Sequence, residues 1–390
     1  MNKIKAFFTA LALLALTVIL VHFVLEGADL KTDGASFGTW YSTYRDMSKS
    51  AISDNIHDET LLVLGSSEFH HGRNTVYHPA NMPAMNGLDL MLIGGPWNQS
   101  LFHTILLGSV EKDMPKRKVV MLVSPTWFKN SGIKTYEFCL RFSETEYIEC
   151  MDNPDIPEKI KKYAAGRVEE LTREDSTLSL KAKIINRHFE RNNSSLPDPA
   201  FQLIKAYAHD SDVVTTGTDM LFLSKKKIMR KKGGSATPDR SYWDEMYSAA
   251  ERDGKKESHN MFMMNDRRWK DFAGKYKRLK KYHAKDDPMI SPEKGDYEAF
   301  LELCKAVDIK PLIIILPVNG KWYDYTGMKK STREELTFYI SSQAEKYGAK
   351  VADLSKHEYT DYFTEDQVHP GGCGWVKINE EIYKFDKENS

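Results

Sequence analysis

The sequence predicts an α/β fold in which a parallel sheet is covered by helices on both faces. Five short apolar runs have the composition of buried strands, helical patterns lie between several of them, and polar motifs follow their ends. Strands buried on both faces carry continuous rather than alternating apolar residues. Strand and helix in alternation are typical of a parallel sheet.

The predicted strands are four to six residues long, and several end at a glycine or a proline. They cover residues 61–64, 90–93, 118–123, 312–316 and 350–354. Helical patterns cover residues 100–110, 297–307 and 332–347, and the last begins with Glu334 and Glu335 in its first turn, a common start signal. Ligands of such sheets bind beyond the carboxyl ends of the strands.

The N-terminus predicts a membrane anchor. Two lysines precede an apolar run over residues 6–25, and about 20 residues at about 1.5 Å each cross a hydrocarbon core of about 30 Å. A cleaved signal peptide has a shorter apolar region and a small-residue cleavage site, which residues 26–29 do not provide. The positive-inside rule then assigns residues 1–26 to the cytoplasmic tip and the span, and residues 27–390 to the outside of the cell membrane.

Residues 155–290 are highly charged and contain few strand-like runs, which predicts a helical insertion at one edge of the sheet. The densest positive charge in the chain lies at residues 225–232. A solvated helix face is the simpler interpretation of this run. Contact with anionic lipid headgroups or with a polyphosphate acceptor is the alternative.

The composition is globular, with 28% charged and 41% apolar residues. The 55 basic and 55 acidic residues balance, so no net field indicates a nucleic-acid partner. The four cysteines contain no CxxC pair, and we expect no structural zinc site. Outside the cell, Cys139 and Cys150 would be able to form a disulfide, and the sequence leaves that pairing open.

Gly65-Ser66-Ser67 directly follows the first predicted strand. A glycine there permits a sharp turn that exposes a serine hydroxyl at the top of the sheet. The N–H groups of such a turn point to the same place and stabilise an oxyanion. Gly-Ser turns end many strands, however, so this segment alone does not establish a catalytic serine.

Asp366 and His369 form a DxxH motif after the last predicted strand. A serine needs an imidazole within hydrogen-bond reach to become a nucleophile, and that imidazole needs an acid at its other nitrogen. A DxxH turn supplies both, although an isolated one is also typical of a solvated loop. The combination predicts Ser67 as nucleophile, His369 as general base and Asp366 as the orienting acid.

A serine after the first strand and DxxH after the last is the order of the SGNH hydrolase class, whereas the GxSxG motif of the α/β-hydrolases is absent. Over nearly its whole length the chain also resembles the DltD family of teichoic acid D-alanyl transfer in Gram-positive bacteria. The matching segments are GSSEF at 65–69, NQSLFH at 98–103, SPTWF at 124–128, SPEKGD at 291–296, PVNGKWYDYTG at 317–327 and DxxH with Gly374-Trp375 at 366–375. The family usually has SPQWF in the third segment and bulkier or charged residues at Pro370 and Cys373.

The resemblance implies a three-layer SGNH-like fold and an extracellular acyltransferase. An activated D-alanyl group would cross the membrane with a membrane-embedded acyltransferase and small membrane components as partners. Ser67 would take it up as an ester, which a hydroxyl of the teichoic acid polymer would attack. His369 would accept the proton in both steps while Asp366 orients its ring.

Other residues are assigned to substrate binding. The N–H of Ser67 is one candidate donor for the oxyanion. Resemblance to SGNH sites implies a second donor at Gly94 or Gly95 and a side-chain donor at Asn98 or Gln99. Aromatic side chains after strand ends would line the acceptor groove or pack in the core: Trp127, Trp322 and Tyr323. Asn319 is a candidate polar donor or a turn residue.

We expect neither a cofactor nor a metal. His70, His71 and His78 have no acidic or cysteine ligand at useful spacing, so they are expected beside the site or at the surface. Two other functions stay open. The same triad with water as acceptor would make an esterase or thioesterase, and a non-catalytic chain would serve as a scaffold for acyl-transfer partners.

Overall fold

The structure, a computed structural model, describes residues 3–28, 30, 32, 42, 45–191, 198–224 and 238–388. In this part of the chain a five-stranded sheet has the order β2-β1-β3-β4-β5, and every pairing is parallel. The strands are β1 Thr60–Leu64, β2 Asp89–Ile93, β3 Lys118–Val123, β4 Lys310–Ile315 and β5 Lys350–Asp353. The predicted parallel sheet is confirmed, with strand ends shifted by at most two residues.

The sheet separates two apolar cores. Leu62 and Leu64 of β1 contribute to one core, whereas Leu61 and Val63 contribute to the other. Successive side chains of a strand point to opposite faces. Because both faces are buried, both sets of positions are apolar, which explains the continuous apolar runs.

Helices account for most of the remaining described chain. They are α1 Lys3–Glu26, α2 Lys49–Ser53, α3 Ser100–Val110, α4 Thr135–Cys139, α5 Glu144–Asp152, α6 Glu158–Thr172, α7 Ser176–Glu190, α8 Pro199–Ser224, α9 Arg240–Glu257, α10 Asp266–Ala273, α11 Glu293–Ala306, α12 Gly320–Thr326, α13 Lys330–Lys346 and α14 Gly372–Lys387. The three predicted helices are α3, α11 and α13, and they pack on one face of the sheet. Helices α9 and α14 pack on the other face. This arrangement is the three-layer α/β architecture expected for an SGNH-like fold.

The described part of the predicted insertion is helical, and its helices reach both sides of the sheet. Helices α5–α8 form a separate apolar core with α3 and α4. Helix α9 instead crosses to α14 on the opposite face. The basic run at residues 225–232 lies outside the described residues.

Helix α1 is the one described helix that is long and apolar enough to cross a membrane, and none of its residues is buried. Near its end, His22 Nδ1 lies 2.9 Å from Asp210 Oδ1 of α8. The predicted N-terminal apolar helix is therefore confirmed. Its orientation in a membrane stays a prediction.

All four cysteines are free thiols. Cys139 Sγ donates a hydrogen bond to the carbonyl of Leu171 at 3.6 Å, and Cys150 is buried in the core of α5–α8. The disulfide that the sequence left open is therefore not formed in this structure.

Candidate active site

The turn after β1 is fixed from both sides. Gly65 donates its N–H to Ile93 at 2.9 Å, and its carbonyl accepts from His103 Nε2 of α3, also at 2.9 Å. Ser66 donates its N–H to Glu68 Oε1 at 2.8 Å. A short 3₁₀ turn then begins at Ser67, which places this residue at the carboxyl edge of the sheet.

His103 helps to hold the turn in place through its bond to the Gly65 carbonyl. Its ring is fully buried, and burial lowers its pKa to about 3, so it is neutral near neutral pH. Since the Gly65 carbonyl only accepts, the ring proton resides on Nε2. This histidine ends the NQSLFH segment, and its contact gives that segment a structural role.

Ser67, His369 and Asp366 form a continuous hydrogen-bond chain. Ser67 Oγ lies 2.8 Å from His369 Nε2, although the two residues are 302 positions apart. His369 Nδ1 lies 2.7 Å from Asp366 Oδ2. The other carboxylate oxygen accepts the N–H groups of Val368 and His369 at 2.9 Å each, which holds the DxxH turn closed. The distances and the order of these contacts match those required of a nucleophile, a base and an orienting acid.

The pKa shifts of Asp366 and His369 are consistent with this arrangement. Burial acts to raise the pKa of Asp366, but the hydrogen bond and charge of His369 outweigh it and hold that pKa at about 2. Burial acts to lower the pKa of His369, yet the bond to Asp366 and the charges of Asp366, Glu68 and Glu365 raise it above its ordinary value of 6.5. The surroundings of His369 therefore favour its protonated, imidazolium form.

A second histidine lies directly on the first. The ring of His71 stacks on His369 with centroids 3.5 Å apart and planes at 8°. His71 Nδ1 is hydrogen-bonded to Glu365, which also accepts from Arg268 Nε at 2.7 Å. Sequence reasoning expected His71 beside the site or at the surface and missed Glu365 and Arg268. The adjacency of Glu365 to Asp366 was the one available signal.

His71, Asp366 and His369 are also the described residues whose arrangement would admit a metal ion, with ligand atoms within 4.8 Å of one another. Those atoms already bond within the protein. His369 Nδ1 faces Asp366, and His71 Nδ1 faces Glu365. A metal would have to replace both contacts.

The predicted oxyanion donors differ in availability. The N–H groups of Ser67 and Gly95 have no acceptor among the described residues. Asn98 is 1% exposed, and neither atom of its side-chain amide is hydrogen-bonded. The assignment of Gly94 as an oxyanion donor is corrected, because its N–H donates to Asp46 Oδ2 at 2.9 Å and is not available to a ligand. Gln99 occupies the N-cap position of α3, where its buried Oε1 has no hydrogen-bond partner in the described part of the chain.

Gly94 instead permits the close approach of two turns. A Cβ at this position would lie 2.5 Å from the carbonyl carbon and oxygen of Gly65. We expect Gly94→Ala to force the ends of β1 and β2 apart, to destabilise the chain by about 1–3 kcal/mol and to slow acylation of Ser67. Thermal unfolding and the rate of adduct formation measure the two effects.

Gly166→Ala is the matched control, because nothing lies within 4 Å of a Cβ at that position in α6. Alanine in a helix interior is expected to stabilise the chain by about 0.5–1 kcal/mol. Equal behaviour of the two variants would contradict the close approach at Gly94.

Three predicted site residues have structural roles. Trp127 is 4% exposed within the core below α3, α11 and α13. Trp322 is 1% exposed and packs with Phe262 in a smaller core. Asn319 caps α12 by accepting the N–H of Trp322 at 3.0 Å, and its Nδ2 donates to Phe262 at 2.9 Å. Of the two roles left open for each residue, these contacts favour core packing for Trp127 and Trp322 and a turn role for Asn319.

Tyr323 is buried as well, but its side chain also lines a cavity. It lines a cavity of about 570 Å³ beyond the ends of β3, β4 and β5, together with Phe128 and Pro317. Its ring stacks on His283 with centroids 5.2 Å apart. Ser67, Asp366 and His369 do not line this cavity, so it is separate from the hydrogen-bond chain.

Comparison with known proteins identifies the family. The family model described as DltD protein matches residues 34–387. Protein DltD of Bacillus subtilis (strain 168) is 30% identical over 337 residues, or 85% of this chain and 83% of that protein. Protein DltD of Staphylococcus aureus (strain NCTC 8325 / PS 47) is 26% identical over 86% of this chain and 84% of that protein, and Protein DltD of Lacticaseibacillus rhamnosus is 25% identical over 83% and 77%. The match extends over the strands, the serine turn and the DxxH turn alike, and the chain belongs to the DltD family.

Proposed function

We propose that the protein is a membrane-tethered serine acyltransferase that transfers D-alanyl groups onto teichoic acid hydroxyls outside the cell membrane. The observation that carries this proposal is the hydrogen-bond chain from Ser67 through His369 to Asp366 at the carboxyl edge of the sheet. Membership in the DltD family, which acts in the D-alanylation of teichoic acid, supports the acyl group and the acceptor. Helix α1 supports the tether.

The reaction proceeds in two steps of the same kind. His369 Nε2 takes the proton of Ser67 Oγ as that oxygen attacks the acyl carbonyl. The N–H groups of Ser67 and Gly95 and the side-chain amide of Asn98 are the donors for the oxyanion. The tetrahedral intermediate expels the donor's leaving atom, which receives the proton from His369, and the D-alanyl ester of Ser67 remains. A polymer hydroxyl then gives its proton to His369 and attacks the ester. The second tetrahedral intermediate breaks the bond to Ser67 Oγ, which receives that proton back from His369.

The surrounding residues keep the base in place. Asp366 fixes the Nδ1–H tautomer of His369, and the stacked ring of His71 restricts rotation of the imidazole. A membrane-embedded acyltransferase and small membrane components are the proposed partners that bring the acyl group to α1 and Ser67. The contact between α1 and α8 gives the tether a fixed position on the catalytic part.

Mass spectrometry of membranes that contain the complete pathway tests the nucleophile. We expect a D-alanyl adduct on Ser67, retained in Ser66→Ala and absent in Ser67→Ala. Ser66 is the matched control because its Oγ donates to the Gly95 carbonyl at 3.2 Å and does not face His369. An adduct on Ser66 would overturn the assignment, as would a pathway that runs without any adduct.

Water is the competing acceptor, because Ser67 is partly exposed. An esterase or thioesterase would hydrolyse the Ser67 ester as fast with as without an alcohol. Incubation of the acylated chain with glycerol phosphate separates the two functions. Hydrolysis without transfer would support the esterase function and contradict the transferase function.

A further inference from the structure

Arg141, between α4 and α5, is attached to the loop that follows β2. Its Nε donates to the carbonyl of Pro96 at 2.8 Å, and its guanidinium carbon lies 5.8 Å from the ring centroid of Trp97. Trp97 has φ = 73°, a left-handed conformation that is costly for a bulky residue. The loop is thus held in a strained conformation with a guanidinium packed over its aromatic ring.

Among the described residues the guanidinium of Arg141 forms no ion pair with a carboxylate, although it is half-buried. Burial lowers its pKa, and the charge of Asp46, which is itself paired with Arg45, offsets that effect only in part. Other arginines that are buried or half-buried bond a carboxylate: Arg45 with Asp46, Arg117 with Glu111, Arg167 with Asp296, Arg268 with Glu365 and Arg333 with Glu358. Removing an unpaired charge from water is costly. An arginine that is kept in this state therefore indicates an anion from outside the chain.

This guanidinium lies beside the nucleophile turn. The carbonyl of Gly95, next to Pro96, accepts from Ser66 Oγ at 3.2 Å. On the other side, His70 ends the turn that Ser67 begins. Burial first, and then the positive charges of Arg73 and Arg141, lower the pKa of His70 to about 4. The charges of Arg73 and Arg141 thus both act on His70, three residues after Ser67, and His70 is neutral near neutral pH.

The surface next to Arg141 also carries an exposed aromatic side chain and a basic one. The ring of Tyr136, which is 55% exposed, lies 6.4 Å from that of Trp97. Lys134 Nζ lies 5.8 Å from the centroid of the Tyr136 ring. A series of contacts therefore leads from Arg141 through the rings of Trp97 and Tyr136 to Lys134, with a cation at each end. Two separated cations suit a chain with repeated negative charges better than a single small anion.

We propose that Arg141, supported by Trp97 and accompanied by Arg73, binds a phosphodiester of the acceptor polymer and holds the neighbouring hydroxyl against the Ser67 ester. The planar guanidinium of arginine presents N–H donors in a forked arrangement that matches two oxygens of a phosphate. The D-alanyl group carries an ammonium, which these cations repel, so the subsite serves the acceptor and not the acyl group. This inference rests on the proposed transferase function.

A kinetic comparison tests the subsite with the full-length chain in detergent, acylated by a small D-alanyl thioester. For Arg141→Gln we expect the KM for sn-glycerol 3-phosphate to rise about tenfold, while the KM for glycerol and the rate of Ser67 acylation stay unchanged. Arg141→Lys keeps the charge and is expected to recover part of the loss. Arg173→Gln, which removes an exposed arginine at the end of α6, is expected to change nothing.

A binding measurement separates the subsite from the chemistry. In Ser67→Ala protein, calorimetry with a synthetic glycerol phosphate hexamer should show binding that weakens with salt and falls about tenfold on Arg141→Gln. If Ser67 is never acylated but this difference persists, the proposed function fails and the anion subsite stands. If Ser67 is acylated and Arg141→Gln and Arg141→Lys, both with unchanged unfolding temperatures, bind the hexamer like the parent, the subsite is wrong.

Discussion

Ser67→Ala is expected to reduce D-alanylation of teichoic acid in cells to the level of a gene deletion. The hydroxyl that lies 2.8 Å from His369 Nε2 is the only atom in the proposed mechanism that carries the acyl group. Loss of a nucleophile of this kind lowers turnover by about 10⁴–10⁶. D-alanine released from the polymer by mild base measures the effect in cells that produce equal amounts of each variant.

Combining Ser67→Ala with His369→Ala in one chain gives a sharper test of the same prediction. His369→Ala is expected to cost about as much as Ser67→Ala, and the pair together little more than either, because the two residues act as one unit. His259→Ala removes a histidine that is 67% exposed and serves as the control. Normal D-alanylation in Ser67→Ala would instead support a scaffold function.

Asp366→Asn is expected to lower the rate of Ser67 acylation by about 10⁴, the loss that a triad suffers when its acid becomes an amide. The amide no longer stabilises the imidazolium, and it favours the wrong tautomer of His369. The two backbone N–H groups that donate to Oδ1 would keep the amide oxygen at that position, so the NH2 group would replace Oδ2 and face His369 Nδ1.

The pH profile of the same variant tests the role of His369 as the base. The base acts when neutral, so the parent rate should rise with pH through the His369 pKa, which Asp366 and its neighbours raise above 6.5. Without the carboxylate that pKa falls, and the midpoint should move to lower pH in Asp366→Asn. Asp361→Asn, a change at an aspartate that is 41% exposed, should leave the midpoint in place. An unchanged midpoint in Asp366→Asn would exclude His369 as the titrating base.

Several residues show why local patterns gave only part of the site. Gly94 was a reasonable oxyanion donor from its position after β2, but its N–H is taken by Asp46, 48 residues earlier in the chain. Trp127 and Trp322 follow strand ends as a groove wall would, yet both are buried. The partner of a backbone N–H and the direction of an aromatic ring depend on segments that are distant in sequence.

The sequence by itself determined the sheet, the N-terminal apolar helix and the family. Strand burial on both faces appears directly in composition, and a long apolar run is visible without any tertiary contact. It also indicated Ser67, Asp366 and His369, because the turns that carry them follow predicted strands. The tertiary structure decided how these residues are supported: the His103 bond to Gly65, the His71 ring on His369, and the Arg141 guanidinium beside Trp97. Such contacts join residues from separate elements, and only the packing of the layers brings those elements together.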